Sequence, residues 1–150
     1  MQVNSKYSQV DGRKIHYLHG GKGKPLIFHH SYLTNTEILK GLMEYLAESF
    51  EIFAPDFPGF GLSSPLPVEP KIKAGAQVLN QWIESLKLDN FYIGGISMGG
   101  AVAVLNGKAL EPKIKGYVFG KIPRAYAHGI SLMQASLVHN PLHLDFRYSS

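Results

Sequence analysis

The sequence predicts an α/β fold: a mostly parallel sheet with helices on both faces. Three observations carry that expectation. Strand-length apolar runs alternate with stretches of helical periodicity through most of the chain. The runs Leu26-Ile27-Phe28 and Phe91-Tyr92-Ile93 are apolar without polar alternation, as in strands buried on both faces. The second of these leads straight into Gly95-Ile96-Ser97-Met98-Gly99, a glycine-bounded turn from strand to helix.

The elements follow in order. Tyr7 to Val10 and Lys14 to Leu18 flank Asp11-Gly12, a strong two-residue hairpin signal. A Gly-Gly-Lys-Gly-Lys turn precedes a strand at Pro25 to His29. Thr34 with Glu37 three residues later reads as a capping box. Behind it Ile38, Leu42 and Tyr45 fall at helical spacing, which places a helix over residues 35–48. Phe50 to Ala54 is the next strand, and Pro and Gly residues break the pattern over residues 55–70. Ile72, Ala76, Leu79, Ile83 and Leu86 then form one helical face, with Trp82 as a packing residue and the end near Lys87. A strand at Phe91 to Gly94, a helix from just after Ser97 to about Leu110, and a strand at Ile114 to Phe119 complete the alternation.

The last of these strands is expected to be an open edge of the sheet. Ala127 to Val138 reads as a helix, with no further strand beyond it. The fold is therefore expected to stop after about the sixth strand. Residues 1–122 read as the core of one domain, and residues 123–150 as the start of a cap or an irregular tail.

Composition narrows the function. A chain of 150 residues suits one domain. It has no cysteine, which excludes a disulfide framework, a thiolate metal site and a cysteine nucleophile. The net charge is +4, but the lysines are scattered, as in Lys22 and Lys24 or Lys71 and Lys73. Solvated surface lysines explain that pattern better than a nucleic-acid interface. No stretch approaches the roughly 20 apolar residues that span a bilayer, and the first residues form no apolar leader. No membrane span and a cytoplasmic location are expected. No cofactor is expected either. Gly21-Lys22-Gly23 precedes its strand and lacks a third glycine, Gly107-Lys108 lacks phosphate-loop spacing, and the histidines show no metal-binding spacing.

Gly95-Ile96-Ser97-Met98-Gly99 is G-x-S-x-G between an apolar strand and a helix. That is the setting of a nucleophile elbow. So tight a turn forces unusual backbone angles on the serine and leaves no room for side chains at the glycines. It exposes the Ser97 hydroxyl at the carboxyl end of the sheet, beside free N–H groups of a helix N-terminus. The alternative is a glycine-rich turn whose serine is merely a helix N-cap.

Two further segments accompany the elbow. Asp56-Phe57-Pro58-Gly59-Phe60-Gly61-Leu62-Ser63 reads D-x-P-G-x-G-x-S, and His29 stands at the end of the third strand. In order and approximate spacing, these three features resemble the α/β-hydrolase family, in its esterase- and lipase-like branch. The resemblance covers residues 5 to about 122, the N-terminal portion of that family's pattern. It implies Ser97 as nucleophile and the Met98 N–H as one donor to an oxyanion hole. Ser31, in His29-His30-Ser31, would supply the second N–H. His30 stands where the family usually has glycine, so its side chain is expected to fill the anion site or alter the loop. The resemblance makes Asp56 structural rather than the catalytic acid. Related dehalogenases and epoxide hydrolases of this fold carry aspartate at the nucleophile position. Serine there implies a small-molecule acyl substrate such as an ester, thioester or amide, or a related C–C hydrolysis or perhydrolysis.

The rest of a triad is not recognisable. After Ser97 the carboxylates are Glu111 and Asp145, and the histidines are His128, His139 and His143. Glu111 falls at the amino end of the sheet, ~17 Å from the level of Ser97 for a five-residue strand. No histidine follows Asp145. Three readings stay open: an incomplete serine hydrolase, a binding module keeping the front half of the fold, and one half of a split enzyme. A homo-oligomer or a complementing second chain would fit the last.

Overall fold

The computed structural model describes residues 2–67, 71–121 and 134–138. Strands β1 (Asn4–Val10) and β2 (Arg13–Gly21) form the expected hairpin around Asp11 and Gly12, both at positive φ. Strand β3 (Lys24–His29) leads through a 3-10 turn at Thr36–Leu39 into helix α1 (Lys40–Leu46) and strand β4 (Phe50–Pro55). Helix α2 (Ile72–Ser85), strand β5 (Phe91–Ile96), helix α3 (Met98–Ala109) and strand β6 (Ile114–Lys121) follow.

The six expected strands are all present, and a short seventh, β7 (Gln134–Val138), joins them. The sheet order is β1-β2-β4-β3-β5-β6-β7. Its centre, β4-β3-β5-β6, is parallel, while β1, β2 and β7 pair antiparallel. Two apolar layers enclose it. On one face, Ala76, Leu79, Trp82 and Ile83 of α2 and Val102 and Ala103 of α3 pack against Ile27 and Ile93. On the other, Leu39, Leu42 and Met43 pack against Leu18, Leu26, Phe28 and Ile52. Trp82 is fully buried and meets the Tyr17 ring edge-on at 5.2 Å, as its helix position predicts.

Three expectations need correction. The cap of the first helical segment is Asn35, whose Oδ1 accepts from the Glu37 N–H at 3.0 Å. The Thr34 hydroxyl is spent on the preceding turn, donating to the Ser31 carbonyl at 2.6 Å. The buried face is also shifted by one residue: Leu39, Leu42 and Met43 point inward, while Ile38 and Tyr45 are exposed. The segment opens with a 3-10 turn of three residues per turn, which rotates the α-helix behind it. Finally, β6 is not an open edge. Its outer backbone groups pair with β7, from Tyr117↔Val138 to Lys121↔Gln134. The helix expected over Ala127–Val138 is therefore a strand at residues 134–138, and its remainder lies outside the described residues. A short apolar run does not distinguish helix from strand, and an unpaired neighbouring strand decided this one. Among the described residues no helix is long and apolar enough to cross a membrane.

Candidate active site

Chain order and sheet order diverge at one place. From β3 the chain moves outward to β4, then returns past β3 to β5. The segments leaving β3 and β5 depart to opposite faces, α1 on one and α3 on the other. The carboxyl ends of these two adjacent parallel strands are thus the topological switch point, where an α/β sheet usually places its ligand crevice. His29-His30-Ser31 and Ser97 both emerge there.

Ser97 has φ 52° and ψ −117°, a backbone state that costs a residue with a side chain about 1–3 kcal/mol. It caps α3 by position, yet its hydroxyl makes no capping hydrogen bond, and the residue is exposed. The serine is therefore not held as an N-cap. The flanking glycines are there for contact. A Cβ at Gly95 would strike the backbone of Gly99, and one at Gly99 would strike the carbonyl oxygens of His29 and His30. The loop after β3 is thereby pressed against the first turn of α3.

That contact sets the segments of the two expected oxyanion donors side by side. Met98 is the first residue of α3, whose leading N–H groups lack intrahelical acceptors. Ser31 is buried, and its N–H has no backbone acceptor among the described residues.

His30 does not fill the crevice. Its ring is buried, with Nδ1 donating to the Ser31 carbonyl at 2.8 Å and Nε2 accepting from the Phe57 N–H at 2.9 Å. Both nitrogens are used, which fixes the neutral tautomer. Burial pushes its pKa down, while the Ser31 carbonyl and the Asp56 charge oppose that. The side chain absent from the usual glycine here bolts the β3 loop to the β4 loop. His29 is buried on the α3 side of the sheet, where desolvation lowers its pKa to about 3, with His30 acting in the same direction and Asn106 opposing. It is neutral near pH 7. Asn106, not singled out from sequence, is wholly buried and ties α3 to α2 through Ala76 O at 2.8 Å and Asn80 Oδ1 at 2.7 Å.

Asp56 holds the neighbouring loop. Its carboxylate accepts from the N–H of Thr36 at 2.8 Å, the N–H of Leu62 at 2.9 Å and His16 Nδ1 at 2.7 Å. Gly61 sits at φ +52°, and a Cβ there would collide with that carboxylate. The Ser63 hydroxyl donates to the Asp56 carbonyl at 2.8 Å and accepts from the His16 N–H at 3.0 Å. The D-x-P-G-x-G-x-S segment is thus a closed hydrogen-bonded loop. His16 was missed in the sequence, because a histidine within a strand carries no spacing signal.

Among the described residues three histidines are engaged elsewhere, His16 with Ser5 and Asp56, His19 with Glu51, and His30 with Ser31 and Phe57, while His29 is buried beside α3 with its Nε2 unpaired. His128, His139, His143 and Asp145 lie outside the described residues. Among the described residues no cluster of three metal-ligating side chains occurs.

A family model of the alpha/beta hydrolase fold matches residues 24–139. Lipase 1 of Psychrobacter immobilis is 30% identical over 139 residues, covering 89% of this chain and 44% of the lipase. Haloalkane dehalogenase 2 of Mycobacterium bovis is 29% identical over 117 residues, covering 77% of this chain and 41% of the dehalogenase. The crystal structure of haloalkane dehalogenase DbeA from Bradyrhizobium elkani superposes with a TM-score of 0.74 at 22% identity, covering 79% of this chain and 41% of that one. The chain spans less than half the length of each of these proteins. With the matched span running from β3 through the Ser97 turn to β7, the chain belongs to the α/β-hydrolase fold family.

Proposed function

We propose that this chain is the nucleophile-bearing part of a serine hydrolase acting on acyl substrates. The observation that carries the reading is Ser97: strained, exposed, uncommitted as a cap, and set between two loops with free N–H groups. Ser97 Oγ attacks the acyl carbon. The developing oxyanion lies between the N–H groups of Met98 and Ser31, where fixed donors stabilise the transition state more than the substrate. The proton goes to a base outside the described residues, in the remainder of the chain or on a second chain.

Serine at this position separates the chain from relatives named as dehalogenases. An alkyl halide calls for a carboxylate nucleophile, whereas a serine suits acyl transfer. The relatives named as lipases support the ester reading. So does the surface beside the crevice. Tyr32 and Leu33 after β3 and Leu62 after β4 are exposed, and the Tyr32 and Phe60 rings meet at 5.8 Å. These loops offer an apolar rim to an acyl chain.

The test is hydrolysis of p-nitrophenyl acetate and butyrate by the purified chain and by Ser97→Ala. Turnover lost in Ser97→Ala supports the reading. Equal rates in both folded proteins contradict it.

A further inference from the structure

We propose that Ser5 is a second nucleophilic serine, activated by His16 and Asp56, that accepts acyl groups from activated esters independently of Ser97. The three residues come from neighbouring positions across the sheet: Ser5 on β1, His16 on β2, and Asp56 just beyond the end of β4. Register makes them meet. Tyr7 stands opposite His16, so Ser5 is its diagonal neighbour on the same face. Tyr17 stands opposite Pro55, and the Asp56 N–H donates to the His16 carbonyl at 2.9 Å.

The side chains form a continuous relay. Ser5 Oγ lies 2.7 Å from His16 Nε2, and His16 Nδ1 lies 2.7 Å from Asp56 Oδ2. A carboxylate only accepts, so His16 donates through Nδ1, and in the neutral ring Nε2 is then the acceptor for the Ser5 hydroxyl. This is the arrangement of a nucleophile, a base and a group that orients the base. The orienting group is itself fixed by the Thr36 and Leu62 N–H groups. His16 and Asp56 are buried, whereas Ser5 is exposed. The relay therefore ends at solvent.

Its surroundings suit an acyl donor. Among the described residues β1 is the outermost strand, so one row of its N–H groups has no strand partner there. The Tyr7 ring lies 5.0 Å from the His16 ring, and the Lys14 ammonium lies 5.0 Å from the Tyr7 ring. An aromatic surface thus stands over the His16 ring, with the cation on the Gln9 side of Tyr7. In the step itself, Ser5 Oγ bonds to the carbonyl carbon of an aryl ester and its proton passes to His16 Nε2. The acyl C–O bond breaks, and the aryloxide leaves with its electron pair, drawing a proton from His16 or water.

The experiment uses the Ser97→Ala chain, so the outcome is independent of the elbow. The protein is treated with p-nitrophenyl acetate, and acetylated peptides are mapped by mass spectrometry. Ser49, exposed in a loop, serves as the internal reference. General-base assistance predicts acetylation of Ser5 on the order of 10²-fold faster than of Ser49. The Ser5 adduct disappears in Ser5→Ala/Ser97→Ala, a surface change that leaves the fold intact. It falls toward the Ser49 rate in His16→Gln/Ser97→Ala, checked as folded by circular dichroism. Acetylation of Ser5 no faster than of Ser49 overturns the proposal and leaves the relay as a purely structural network.

Discussion

Gly99 lies so close to the His29 carbonyl that a Cβ at position 99 would overlap its oxygen. The Ser97 turn and the loop of the expected oxyanion donor are thus a single packed unit rather than two separate loops. Gly99→Ala forces them apart. The expected loss is about 1–3 kcal/mol of stability, the usual cost of overpacking, together with loss of any Ser97-dependent reactivity. Urea unfolding and ester hydrolysis check the two parts.

His30 joins the loop after β3 to the loop after β4 through the Phe57 N–H. Restoring the glycine usual in the family is therefore expected to harm this chain. His30→Gly strands a buried N–H and adds backbone freedom, together about 2–4 kcal/mol. A urea midpoint equal to or above that of the parent contradicts this role.

Asp56 accepts three hydrogen bonds while buried, one of them from His16. Asp56→Asn turns an amide N–H toward donors and breaks a buried charge-assisted pair. The expected cost is about 3–5 kcal/mol, read as a large fall in thermal midpoint. A change of a degree or two refutes the account of this loop.

His29 keeps a neutral ring in the folded protein down to a pKa of about 3, whereas the exposed group titrates near 6.5. Between those values the unfolded chain binds a proton that the folded chain does not. Stability therefore rises with pH across that window and levels off above it as far as His29 is concerned. The slope from this residue is at most about 1.4 kcal/mol per pH unit. His29→Asn is expected to flatten the curve between pH 4 and 6.5 in urea titrations. An unchanged slope contradicts it.

Much of this was legible in the sequence because local pattern and tertiary role agreed. Asp11-Gly12 sets its own turn, Leu26-Ile27-Phe28 is buried wherever it lies in the sheet, and Gly95 to Gly99 names its geometry through its glycines. The misread parts are those where a distant partner decides. Thr34 looked like a cap until Ser31 claimed its hydroxyl. The phase of α1 was set by a 3-10 turn. The strand at Gln134–Val138 exists through pairing with β6. His16 gained its place from Asp56, 40 residues away. The turn that bears Ser97 and Met98 packs against the loop that leads to Ser31, while the acid and base of a triad are not found among the described residues.

The central claim, that Ser97 is a nucleophile facing fixed oxyanion donors, is tested most directly by mapping the adduct formed with a fluorophosphonate. Even without a triad base, an intact oxyanion site sustains roughly 10³-fold reactivity over the uncatalysed reaction. The account predicts a stoichiometric adduct on the peptide containing Ser97, absent in Ser97→Ala and strongly diminished in Gly99→Ala. A folded protein that leaves Ser97 unmodified under the same conditions would contradict it.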